Sequence, residues 1–292
     1  MKTIKRDLYL NRLIERREND LIKVVTGIRR CGKSYLLFKL YYQYLLDSGV
    51  EGDRIISVSL DDEDYSELRD SKKLSSYIKE RITNDGMWYV FLDEVQMCRG
   101  FESVLNGLNR RENLDIYVTG SDSKFLSTDV LTEFRGRGDE VRVYPLSFSE
   151  YVSAYSGDKY DAWIDYCTYG GLPLILNRKT DELKSKYLID LCQELYLKDI
   201  EERHKLSGDN CMAALVNVLA SAVGSPANRQ NWQTPSAVME SMSVIKPLEF
   251  ISDICWMSFL SAKQNDMISK EKDILLLPLS IISRMWGCAM LS

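Results

Sequence analysis

Along the first half of the chain, short apolar runs alternate with stretches whose apolar residues recur at helical spacing. Residues 21–26 (LIKVVT) form a β-branched run that stops at Gly27, which predicts a buried strand. Residues 34–48 carry Leu36, Leu37, Leu40, Tyr44 and Leu45 at helical spacing, with Gly49 as the stop, which predicts a helix. A second strand is predicted at 54–60 (RIISVSL) and a helix at 66–83. Residues 88–92 (WYVFL) are apolar throughout and predict a central strand, covered on both faces. Phe101, Val104, Leu105 and Leu108 then mark one helix face, and 115–119 (DIYVT) and 140–144 (EVRVY) complete five strands. Strands alternating with helices imply an α/β fold with a parallel sheet. After Pro145 the pattern becomes helical up to about residue 223.

Where the first strand meets its helix, residues 27–34 read GIRRCGKS, a match to G-x-x-x-x-G-K-[ST] in the strand-to-helix setting its chemistry requires. Gly27 and Gly32 let the backbone N–H groups of Ile28, Arg29, Arg30 and Cys31 turn inward around a phosphate, and the helix start through Tyr35 adds its positive end. Lys33 is expected to reach the outer phosphates of ATP, and Ser34 to offer its hydroxyl to Mg²⁺.

Asp93-Glu94 ends the most apolar strand, 60 residues after Lys33. In that position Asp93 suits a Mg²⁺ site and Glu94 suits polarising an attacking water, which favours hydrolysis over transfer to a small-molecule hydroxyl. The fourth strand is expected beside the first, so its end at 119–123 (TGSDS) faces the phosphate; Ser121, ahead of Thr119, is the expected sensor. Arg137, ahead of Arg135, is the expected arginine for a developing phosphate charge, acting in trans on a neighbouring protomer or in cis.

Other features read more plainly. Residues 61–64 (DDED) complement a helix start, and 170–173 (GGLP) read as a stiff turn between helices. His204 is the one histidine, so no Ser–His or His-based metal chemistry is in view. The seven cysteines are scattered without a C-x-x-C, which argues against a disulfide framework or zinc site. The net charge of −5 argues against a general nucleic-acid coat, and the longest nearly apolar run, 274–282, is too short for a membrane span of about 20 residues. A cytoplasmic protein is expected.

The segments at 27–34, 91–96 (FLDEVQ), 118–126 (VTGSDSKFL), 133–151 (EFRGRGDEVRVYPLSFSEY), 169–173 (YGGLP) and 196–200 (YLKDI) together resemble one family. They are similar to prokaryotic AAA-type ATP-binding proteins, related to archaeal-type and STAND-like ATPases, that carry a C-terminal domain of unknown function 4143. The resemblance implies a P-loop ATPase core of the ASCE type at 1–150 and a helical lid at 151–224, with a winged helix and a further domain beyond. It implies ATP and Mg²⁺ as cofactors and a regulated switch with a protein partner or a homo-oligomer. A nucleic-acid role would belong to the winged helix.

At about residue 225 the composition breaks. The last 68 residues hold no tyrosine and one glycine, against 17 and 16 in the whole chain. Joining the third base of each codon to the first two of the next, residues 230–235 can encode KLANTF and 284–291 can encode EDVGLRNA. These strings resemble the family's own continuation. Residues 225–292 are therefore expected to be a wrong-frame translation without a native fold, with 274–282 an aggregation hazard. The function expected is a Mg²⁺-dependent ATPase acting as a nucleotide-driven switch. The alternative is a nucleotide-holding interaction module without turnover; a small-molecule kinase is disfavoured by Glu94.

Overall fold

A computed structural model describes residues 3–120, 134 and 136–191. Five parallel strands form one sheet: β1 (Ile22–Thr26), β2 (Ile55–Ser59), β3 (Trp88–Asp93), β4 (Leu114–Thr119) and β5 (Gly138–Arg142), in the order β2-β3-β4-β1-β5. The class is α/β, as the alternation of runs predicts. The fourth strand does lie beside the first, with Lys23 opposite Tyr117 and Val25 opposite Thr119. β1, β3 and β4 are buried along their whole length.

Side chains alternate across a strand, so the sheet has two apolar faces, and both are covered. One face carries Val24, Val58, Val90, Leu92, Ile116 and Val118 against α4 (Ser71–Arg81) and α5 (Phe101–Leu108). The other carries Val25, Phe91, Tyr117 and Val141 against α1 (Asp7–Glu15) and the helical segment after β1. The helix 66–83 is divided: a 3-10 segment spans Glu63–Arg69, and Asp70 then caps α4 by accepting from the N–H of Lys72 and Lys73, both at 3.0 Å. Asp62 accepts from the N–H of Asp64 at 3.1 Å, in keeping with a local capping role for this acidic run.

The segment after β1 differs from expectation in its buried face. It runs α2 (Lys33–Tyr35), a π-helical stretch (Leu36–Tyr41), then α3 (Tyr42–Asp47). Of the expected inward residues, Leu36, Leu37 and Leu45 are fully buried and Leu40 and Tyr44 are half-buried, while Tyr41, which is not among them, is fully buried. Tyr41 thereby reaches Tyr117, hydroxyl to hydroxyl at 2.5 Å. Tyr117 in turn donates to Asp115 at 2.8 Å, and Asp115 forms an ion pair with Lys23 in the middle of the sheet, both residues buried. The short N-terminal α1, which the pattern does not predict, packs Tyr9 and Leu13 inward.

Beyond β5 the described elements are helical: α6 (Phe148–Ala154), α7 (Lys159–Tyr169), a 3-10 turn (Pro173–Asn177) and α8 (Asp181–Asp190). The described residues divide into two compact units. One comprises those up to 154 together with 172–174, and the other 155–171 together with those from 175 on. Within the second unit, Lys184 on α8 is paired with Asp165 on α7 at 2.5 Å, both buried. The expected tail, along with His204 and 196–200, lies outside the described residues. No helix among the described residues is long and apolar enough to cross a membrane.

Candidate functional site

The C-terminal ends of β1, β3 and β4 bring the predicted residues to one edge of the sheet. Gly27 has φ +144°, and a Cβ there would stand 2.2 Å from the Val143 carbonyl oxygen, so the chain turns this closely only without a side chain. Arg30 (φ 65°) and Gly32 (φ 101°) are also left-handed, which curls the loop between them. Cys31 is fully buried, its Sγ 3.4 Å from the Val143 carbonyl, and so anchors the loop from below. Arg29 and Ile28 are half-buried, Arg30 and Ser34 exposed, and Tyr35 is exposed at the first helical turn.

Lys33 is buried and its ammonium donates to the carbonyls of Gly27 (2.8 Å) and Ile28 (3.2 Å). Two of its three donors thus hold it across its own loop, and the third is left for a phosphate oxygen. Ser34 Oγ donates to Asp93 Oδ1 at 3.0 Å, although the two lie 59 residues apart. Thr119 Oγ1 also donates to Asp93 Oδ1 and accepts from the Glu94 N–H at 3.2 Å. Burial pushes the Asp93 carboxyl above its ordinary pKa; the hydrogen bonds from Thr119 and Ser34 pull it down, and the Glu94 and Asp61 charges push it up again. A carboxylate so placed gains from a cation. The Ser34 hydroxyl and Asp93 carboxylate are the hard oxygen donors that Mg²⁺ takes, so the residues present fit that ion and the phosphates it accompanies.

Glu94 follows Asp93 in a left-handed conformation (φ 49°, ψ 49°) that costs energy for a residue with a side chain. Its carboxylate accepts from Gln96 Nε2. Thr119, second choice in the sequence, is fully buried at the centre of this cluster. Ser121 and Arg135 lie outside the described residues.

Arg137 is not at this edge. Its carbonyl accepts from the N–H of Ile22, at the beginning of β1, and its side chain is exposed. The phosphate loop begins five residues further along β1, roughly 16 Å at the usual rise per residue. That span exceeds the reach of an arginine side chain and removes the in cis role. Gly170 ends α7, and Pro173 opens the 3-10 turn, with its Cγ 3.8 Å from where a Cβ on Gly32 would sit.

A family model described as an AAA domain matches residues 19–152. An uncharacterized protein of Haemophilus influenzae is 31% identical over 277 residues, covering 91% of this chain and 68% of that relative. The chain belongs to the AAA domain family. That membership makes it a nucleotide-binding, ATPase-like protein of the α/β P-loop class. A second uncharacterized relative, MJ1544 of Methanocaldococcus jannaschii, is 26% identical over 309 residues, covering 98% of this chain and 65% of its own length. The chain thus spans about two thirds of the length of these curated relatives. AMPPCP-bound DnaA from Aquifex aeolicus superposes with a TM-score of 0.36 at 15% identity, over 96% of this chain and 85% of that one.

Proposed function

We propose that this AAA domain binds ATP with Mg²⁺ and hydrolyses it, and that the cycle serves as a switch for the region at 151–224. The hydrogen bond from Ser34 to Asp93 carries the reading: it joins the helix start of the phosphate loop to the end of β3, with Glu94 the next residue. Mg²⁺, when bound, supplies positive charge to the outer phosphates. Everything else is work for the chain. Backbone N–H groups of the loop, turned inward by Arg30 and Gly32, bind phosphate oxygens. Lys33 gives its remaining donor to a phosphate oxygen. Ser34 and Asp93 hold the ion, and Thr119 keeps Asp93 and the Glu94 backbone in register. Glu94 takes a proton from the attacking water.

Arg137 enters as a group acting in trans. It is exposed on the rim away from its own phosphate loop, where a neighbouring protomer could receive it, and a permanently charged guanidinium suits that use.

Replacing Glu94 with Gln keeps the shape of the side chain and removes the base. The expected result is ATP retained at near wild-type affinity, with phosphate release slowed by about a hundredfold or more in a single-turnover assay. Equal rates in both proteins would remove Glu94 from the mechanism. Binding of ATP by the wild type with no release at all would favour the non-hydrolysing interaction module.

The wrong-frame origin of residues 225–292 rests on the encoded strings. The alignments covering 91% and 98% of this chain run past residue 224, which is what a native continuation gives. The coding DNA separates the two. Codons that yield KLANTF and EDVGLRNA in the shifted frame are expected; codons that cannot yield them contradict this origin.

A further inference from the structure

The turn after β3 does more than end a strand. A residue two positions beyond Glu94 in a continuing strand would lie about 6.6 Å further along. The left-handed Glu94 instead folds the chain into a 3-10 turn (Val95–Met97), closed by Met97 N–H to the Glu94 carbonyl at 2.9 Å and Cys98 N–H to the Val95 carbonyl at 3.1 Å. Val95 is fully buried and pins the turn to the core. The turn brings the half-buried Gln96 back over its neighbour, so that Nε2 donates to Glu94 Oε2. Glu94 is then held at three places: its N–H by Thr119 Oγ1, its carbonyl by Met97, and its carboxylate by Gln96.

We propose that Gln96 is a positioning residue for hydrolysis, which selects one rotamer of Glu94 and aims its carboxylate at the attacking water. This rests on the proposed role of Glu94 and deepens it. A glutamate side chain has three rotatable bonds, and a base must stand within hydrogen-bond distance of the proton it takes. The amide occupies one carboxylate oxygen and leaves the other for the water. Being neutral, it fixes the carboxylate without the competing charge that a lysine or arginine would bring. A small misplacement of a catalytic group costs roughly a hundredfold in rate, so a donor that fixes this angle is worth a measurable share of turnover.

The test uses the full chain and five proteins: wild type, Gln96→Leu, Gln96→Glu, Glu94→Gln, and Glu94→Gln combined with Gln96→Leu. Leu removes the donor, and Glu keeps the shape while setting a like charge against Glu94. A thermal melt establishes that each is folded, and Gln96→Glu carries the test if Gln96→Leu is not. Affinity for a non-hydrolysable ATP analogue with Mg²⁺ is expected to stay within about twofold in the Gln96 variants. Single-turnover phosphate release is expected to fall about ten- to a hundredfold. Because Gln96 acts through Glu94, adding Gln96→Leu to Glu94→Gln should cost less than about twofold more.

Wild-type rates in both Gln96 variants, with Glu94→Gln slow, overturn the positioning role and leave Glu94 as the base. So does a further full-sized drop in the double variant, or a loss of affinity in parallel with rate, since either marks a merely structural contact. A rise in rate would make Gln96 a restraint on Glu94 and also overturns the proposal. An absence of turnover in the wild type overturns the proposed function itself.

Discussion

Replacing Lys33 with Ala is expected to weaken ATP binding by about thirtyfold or more and to take phosphate release below detection. The estimate follows from truncating one partner of a desolvated, hydrogen-bonded charge pair, which costs about 2–5 kcal/mol. Lys33 is buried and fixed over the loop, so its ammonium needs little ordering before it meets a phosphate. The protein should remain folded. Among the described residues the Lys33 side chain bonds to two carbonyls of its own loop, and Gly27 is fixed independently by its close approach to Val143. Calorimetric titration with ATP and Mg²⁺, beside a thermal melt, checks both halves. A folded variant that binds ATP as the wild type does would place the nucleotide elsewhere.

The second large effect is on stability and lies away from the nucleotide. Asp115 on β4 and Lys23 on β1 are paired inside the sheet, and Asp115 also accepts from the Tyr117 hydroxyl and from the Glu18 N–H at 2.9 Å. Burial, the Asp115 charge and the hydrogen-bonded hydroxyls push the Tyr117 phenol well above its ordinary pKa, so it stays a donor at any working pH. Removing one member strands the other. Asp115→Ala should cost about 3–5 kcal/mol, because the buried Lys23 ammonium loses the carboxylate it is bonded to. The double change Lys23→Met with Asp115→Leu should recover most of that loss, since an apolar pair of similar size carries no desolvation penalty. Denaturant unfolding of both variants measures the difference. A double variant no more stable than Asp115→Ala would show that the surrounding tyrosines and the Glu18 N–H, rather than the ion pair, set the cost.

These two sites differ in how plainly the chain announces them. The phosphate loop is legible because its chemistry needs fixed residue types at fixed spacing between a strand and a helix. The acidic pair is legible only beside that loop, because a strand end entering solvent often carries carboxylates. The Lys23–Asp115 pair left a fainter trace. Each is the one charged residue in an otherwise apolar run, LIKVVT and LDIYVT, and the two strands are neighbours. Complementary charges in adjacent buried strands are a usable signal.

What stayed hidden depends on backbone detail that periodicity does not carry. The expected helix face counts Leu40 and Tyr44, which are half-buried, and passes over Tyr41, which is fully buried in a π-helical stretch. Ser121, the first choice for the sensor, lies outside the described residues, and Thr119 is the second. Thr119, the last residue of β4, reaches sideways to Asp93 at the end of β3 and to the Glu94 N–H. Gln96 stood in a recognised segment, but only the left-handed conformation of Glu94 turns it back onto the carboxylate. Arg137 precedes its strand and so lies at the opposite rim from the loop that follows β1, a consequence of parallel order that the residue pattern alone does not display.

The central claim is that one sheet edge, built from Lys33, Ser34, Asp93 and Glu94, binds ATP with Mg²⁺. Equilibrium binding of a non-hydrolysable ATP analogue to the full chain tests it most directly, with Mg²⁺ and with a chelator, for wild type and Ser34→Ala. The account predicts saturable one-to-one binding that is weakened by the chelator, and a smaller response to the chelator in Ser34→Ala. Affinity indifferent to both the ion and the Ser34 hydroxyl, or no binding at all, would contradict it.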